Sequence, residues 1–158
     1  MKIADLLDLD RIAPASQAAS KKRALEELSA LMARSVPELT KEQIFESLLG
    51  RERLGSTGLG HGVALPHGRV SGRDRAIGAF LRLEKGVDFD AIDNEPVDML
   101  FALLVPEQFT DEHLQILAQL AELFANRELC DKIRESRDGQ QVLDLISHWT
   151  PEHSSHTA

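Results

Sequence analysis

The sequence contains no tyrosine, one tryptophan and one cysteine among 158 residues. Aromatic side chains make up only 4% of the chain, so its core must be built mainly from aliphatic residues. The lone Cys130 cannot form an internal disulfide, which fits a reducing, cytoplasmic setting. No apolar run approaches the roughly 18 residues of a membrane-spanning helix. The opening Met1–Asp10 carries acids where a signal peptide needs a basic start and a long apolar core. Blocks of Lys or Arg are also missing, and 18 basic against 26 acidic residues leave a formal charge of −8. Such a chain is badly suited to phosphate backbones or anionic lipid, so neither nucleic-acid binding nor membrane insertion is expected. What is present suffices for one globular domain, expected over residues 1–150, followed by a flexible polar tail at 151–158.

Periodicity organises that domain. The first forty residues read as helical: Ile3, Leu6 and Leu7 have helical spacing, and Leu25, Leu28, Leu31 and Met32 form one apolar stripe. Thr40 and Gln43 make a capping-box pattern opening a helix with Ile44, Phe45, Leu48 and Leu49 inward, and Gly55 is its natural stop. Strand-type runs follow at 76–83, 87–89 and 97–105. The last lies between Pro96 and Pro106 and is apolar on both faces, as for a strand covered from two sides. Thr110 or Asp111 caps a helix to about Asn126, with Leu114, Leu117, Ala118, Ala121 and Phe124 inward. Shorter helices are expected over 129–134 and 140–149. Helices outside and a few strands inside predict a layered α/β domain.

The chemistry concentrates in a glycine-rich stretch. Residues 55–62 hold four glycines in eight positions, but His61 and Gly62 stand where a P-loop needs Lys and Ser or Thr. Val63 occupies the third glycine position of a dinucleotide fingerprint, and the stretch follows a helix instead of a strand. Nucleotide binding is therefore not expected. Such a loop can still bring backbone N–H groups close to an anion. His67 lies between Pro66, which fixes its own φ, and Gly68, which leaves room beside the imidazole. His113 falls in the first turn of a helix, where the macrodipole favours a neutral ring or a bound anion. Arg51 ends the capped helix just before the loop, where it can serve the helix terminus or clamp a phosphate. His61, His67 and His113 lack the spacing of a helical metal pair, so no metal or cofactor is expected. Ser56 is not in a nucleophile elbow, and Cys130 beside Leu129 reads as a buried, inert thiol. Each histidine taken alone has a blander reading as a structural residue; it is their combination that points to a site.

That combination resembles a known family. The run Arg51-Glu-Arg-Leu-Gly-Ser-Thr-Gly-Leu-Gly-His-Gly-Val-Ala-Leu-Pro-His67-Gly-Arg69 is similar to the active-site segment of the fructose/mannitol-type enzyme IIA domains of the bacterial phosphotransferase system. Residues 89–106 and His113-Leu-Gln-Ile-Leu-Ala118 look most like the nitrogen-regulatory branch, and the similarity covers about residues 40–149. The resemblance implies a three-layer α/β/α sandwich with a small mixed β-sheet flanked by helices. It further implies that His67 is the phosphoacceptor, with Arg51 and His113 beside it and Ser56, Thr57 and Gly58 on the phosphate-binding loop. His61 stands where the family often has Asn or another polar residue, and no catalytic role is assigned to it. The implied donor is a histidine phosphocarrier of the nitrogen branch. The implied targets are regulated proteins such as potassium-transport components or sensor kinases. The alternative is a free IIA subunit that passes phosphate to a sugar-specific IIB domain for fructose- or mannitol-type uptake.

Overall fold

The apolar run after Pro96 forms the middle of a mixed sheet. In the computed structural model, which describes residues 2–108 and 110–150, β6 (Val97–Pro106) pairs antiparallel with β5 (Ile77–Val87). Side chains of β6 alternate between two cores: Met99, Phe101, Leu103 and Val105 face one way, Leu100, Ala102 and Leu104 the other. That accounts for a strand without a polar face. Beyond β5 lies β1 (Ile12–Ser16), parallel to it. On the other side of β6 run β3 (Val63–Ala64) and β4 (His67–Val70), both parallel to it and placed one after the other along its length. A three-residue strand, β2 (Gly58–Gly60), pairs antiparallel with β3.

Among the described residues, two α-helices cover one face and three the other. Helix α1 (Lys21–Ala33) buries Leu25, Leu28, Leu31 and Met32, and its Ser20 hydroxyl accepts the Arg23 N–H. Helix α2 (Lys41–Glu52) opens with the expected capping box, in which Thr40 and Gln43 exchange bonds of 3.1 and 2.8 Å. Across the sheet lie α3 (Asp111–Ala125), α4 (Arg127–Glu135) and α5 (Gly139–Ser147). The result is the expected α/β/α sandwich on a mixed sheet. No helix of the described residues is long and apolar enough to cross a membrane. The expected tail at 151–158 lies outside the described residues.

Three expectations need correction. The first forty residues are not all helical: two short 3₁₀ turns, Ile3–Leu6 and Leu9–Arg11, lead into strand β1. Pro14 has no N–H to give, and the edge of a sheet is the place where a strand tolerates it. The inward stripe of α3 is also rotated. Phe124 is buried and Leu117 and Ala121 pack against the core as expected, but Leu114 is 58% exposed and Ala118 is exposed, and His113, Ile116, Leu120 and Leu123 are buried in addition. Strand β5 runs on to Val87, and Phe89 follows it in a loop instead of in a strand of its own.

Candidate functional site

Helix α2 lies against β4, and a glycine makes that approach possible. A Cβ on Gly68 would come within 2.9 Å of the Ser47 carbonyl carbon, while the Ser47 hydroxyl donates to the Arg69 carbonyl at 2.8 Å. One turn beyond Ser47, Arg51 therefore reaches the neighbourhood of His67, and its charge acts on that ring. Because β4 side chains alternate, Gly68 and Val70 turn toward α1 and α2, and His67 turns to the face carrying α3.

The His67 ring is fixed by its own strand. Nδ1 lies 2.9 Å from the Leu65 carbonyl oxygen, which can only accept. The proton is therefore on Nδ1, and Nε2 keeps its lone pair. Burial lowers the pKa of His67 below the ordinary 6.5; the Leu65 bond opposes this, Arg51 adds to it, Glu52 opposes it and Arg69 adds to it. A neutral ring with a nucleophilic Nε2 follows.

His113 arrives on the same strand pair from beyond its end. Strand β4 pairs with β6 from His67↔Leu103 to Val70↔Pro106, and α3 begins shortly after Pro106. His113 is buried, and its Nδ1 accepts the Thr110 N–H at 3.1 Å, so in this neutral tautomer its proton sits on Nε2. It borders an open depression with Gly72, Arg73, Pro106 and Thr110. Arg51 and His67 thus come together where α2 meets β4, whereas His113 borders the depression past the far end of that strand, its proton on the opposite ring nitrogen from that of His67.

The glycine loop is built differently from the anion cradle expected of it. The Ser56 hydroxyl donates to the Phe89 carbonyl at 2.7 Å and accepts the Gly58 N–H at 3.0 Å. Thr57 is buried, with both its N–H and its hydroxyl given to the Glu52 carboxylate. A Cβ on Gly58 would lie 2.9 Å from that of Ala91, so this glycine serves close packing. Ser56, Thr57 and Gly58 therefore act as the loop's internal scaffold, their donors already committed within the protein. Glu52 is not singled out by the sequence; its signal is its place next to Arg51, three residues before the glycine-rich stretch opens at Gly55.

His61 occupies a left-handed turn with φ of 55° between β2 and β3. Its N–H donates to Asp93, its carbonyl accepts from Arg134, and Arg127 lies 3.0 Å from its ring nitrogens. Arg134 is held by two 2.9 Å bonds to Asp98. This cluster borders a depression of about 740 Å³ at the start of β6, away from His113 at its other end. Cys130 is buried, donates to the Phe124 carbonyl, and has its pKa raised to about 11 by burial, as an inert thiol should.

The chain is similar to a known family over most of its length. The profile of the family described as "Phosphoenolpyruvate-dependent sugar phosphotransferase system, EIIA 2" matches residues 5–149. A nitrogen regulatory protein of Pseudomonas aeruginosa is 46% identical over 127 residues, 80% of this chain and 82% of that one. One from Bradyrhizobium diazoefficiens is 41% identical over 150 residues, covering 93% and 95% of the two chains. The crystal structure of nitrogen regulatory protein IIA-Ntr from Neisseria meningitidis superposes with a TM-score of 0.87 at 42% identity, covering 91% of this chain and 98% of that one. The chain belongs to the EIIA 2 family of the phosphotransferase system, in its nitrogen regulatory branch.

Proposed function

We propose that this protein accepts a phosphoryl group on Nε2 of His67 from a histidine phosphocarrier of the nitrogen branch, and that its phosphorylation state regulates partner proteins. One observation carries the reading: the 2.9 Å contact between Nδ1 and the Leu65 carbonyl leaves Nε2 as the reactive nitrogen of a neutral ring. In the transfer, the Nε2 lone pair forms the new N–P bond while the N–P bond to the donor's imidazole breaks, its electron pair returning to the donor. The proton on Nδ1 stays with His67, where the Leu65 carbonyl stabilises the positive charge that the ring acquires. Arg51 and the Nε2–H of His113 supply charge and a hydrogen bond to the phosphoryl oxygens, so catalysis is by positioning and electrostatics.

The modification adds about −1.5 to −2 charges in a chain that is already acidic. That is enough to break or create a contact with a regulated partner, such as a potassium-transport component or a sensor kinase. We take the setting to be cytoplasmic, consistent with a single thiol that cannot pair within the chain. A second reading, delivery of phosphate to a sugar-specific IIB domain, draws on a Haloferax volcanii fructose-specific EIIA component that is 31% identical over 145 residues. The 46% identity to a nitrogen regulatory protein favours the first reading. Incubation with the phosphorylated nitrogen-branch carrier should label the wild type and not His67→Ala. Rapid passage of that label to a fructose-type IIB domain, with no phosphorylation-dependent capture of a regulated partner, would favour the second.

A further inference from the structure

Arg51 and Glu52 end α2 and send their side chains to opposite ends of one short loop. Arg51 Nη1 donates to the Gly55 carbonyl at 2.9 Å. The Glu52 carboxylate, only 2% exposed, accepts the Thr57 N–H at 3.3 Å and the Thr57 hydroxyl. Lys21, in the first turn of α1, completes an ion pair with Glu52 at 2.9 Å.

This is an expensive place for a carboxylate. It is buried, and it lies at a helix C-terminus, where the macrodipole disfavours negative charge. For stability alone, an apolar pair of similar volume often does as well as a buried ion pair. What the pair holds is more informative. The Thr57 carbonyl accepts the Leu65 N–H at 3.0 Å, and the Leu65 carbonyl accepts Nδ1–H of His67 at 2.9 Å. The same Lys21 ammonium lies 3.4 Å from the Phe89 carbonyl and 4.5 Å from the centre of the Phe89 ring. That carbonyl also accepts the Ser56 hydroxyl. One buried ion pair therefore secures both sides of the loop and, through two backbone contacts, the residue that orients the acceptor ring.

We propose that Lys21 and Glu52 are positioning residues for the phosphoacceptor: by fixing Thr57, and through it Leu65, they set the tautomer and bearing of the His67 ring. The inference rests on His67 being the phosphorylated residue, as proposed above. Neither side chain touches the His67 ring, so their positioning effect passes through the loop backbone, beside the through-space effect of the Glu52 charge on the ring.

The test uses the full chain with two variants. Glu52→Gln keeps the size and one acceptor oxygen while removing the charge. The double variant Lys21→Met/Glu52→Leu replaces the pair with apolar residues and guards against loss of folding through an orphaned ammonium. Ring ¹⁵N shifts of His67 in the unphosphorylated protein report its tautomer, and steady-state transfer from the phosphorylated carrier gives kcat and KM. The expected result is a mixed Nδ1–H and Nε2–H signature in the folded variants. In the same variants kcat should fall about tenfold or more, with the carrier KM changed by less than about twofold. A folded double variant whose His67 keeps an unmixed Nδ1–H signature and wild-type kcat overturns the proposal. Should the wild type take no label on His67, the phosphoacceptor reading fails instead, and the tautomer measurement still decides what the ion pair does to the ring.

Discussion

The Leu65 carbonyl oxygen stands 2.9 Å from Nδ1 of His67 and so decides which ring nitrogen is left to react. The same ring is half-buried, and burial holds its pKa below the ordinary 6.5. Only the neutral ring can attack phosphorus, and the depressed pKa moves the loss of activity to lower pH. The transfer rate should therefore be flat across neutral pH and fall only below 6.5, as initial rates over a pH series will show. Stability follows the same sign. The unfolded ring binds its proton first as pH drops, so the contribution of His67 is present above 6.5 and is lost as pH falls below it. Denaturant midpoints of wild type and His67→Gln, compared on either side of that pH, measure it.

Gly68 is the point at which α2 and β4 touch. A methyl group there would meet the Ser47 backbone at 2.9–3.0 Å, closer than real Cβ contacts allow. Gly68→Ala should push the helix from the strand and cost about 1–3 kcal/mol in urea unfolding. It should also move Arg51 away from His67 and slow phosphoryl transfer in the fraction that remains folded.

The turn at His61 is structural, and it should be separable from the chemistry. His61→Gly relieves the left-handed backbone at φ 55° while keeping the N–H bond to Asp93 and the carbonyl bond from Arg134. Its stability should stay within about 1 kcal/mol of wild type, with labelling unchanged. Asp98→Ala removes the paired bonds that hold Arg134 and should cost about 1–3 kcal/mol. Thermal melts and carrier-driven labelling of both variants check the two halves of this statement.

Leu54 and Ile92 are 84% and 88% exposed on the two segments that flank the Ser56–Gly60 loop. Large apolar side chains so placed suit the apolar face of a phosphate donor docking onto an acidic protein. Leu54→Ser with Ile92→Ser should raise the KM for the phosphorylated carrier several-fold, leaving kcat and melting temperature close to wild type. An unchanged KM would remove these residues from the docking surface.

Much of the fold was legible because its signals were local. The Thr40–Gln43 capping box and the apolar run between Pro96 and Pro106 each carry their structure in a few adjacent residues. Strand β1 was not legible: five residues with a central proline show neither alternation nor a continuous apolar run, and only pairing with β5 makes them a strand. The stripe of α3 was misread for a different reason. Apolar residues at 114, 116, 117, 118, 120 and 121 leave two overlapping stripes, and burial of His113 beside Ile116 selects between them. At the site, the residue types and order single out His67, Arg51 and His113 as candidates. They could not reveal that Ser56 and Thr57 spend their hydroxyls on Phe89 and Glu52, because those partners are fixed by tertiary contacts. The hydrogen-bond acceptor for His67 is two residues away in the chain, but its identity depends on how Leu65 and Pro66 join β3 to β4.

The most direct test is a nitrogen–phosphorus correlation spectrum of the chain, labelled with ¹⁵N in its histidines and phosphorylated by its carrier. It should show one N–P bond, to Nε2 of His67, with Nδ1 still protonated, and no such bond in His67→Ala. A bond to Nδ1, or stoichiometric label retained by His67→Ala, would contradict the account.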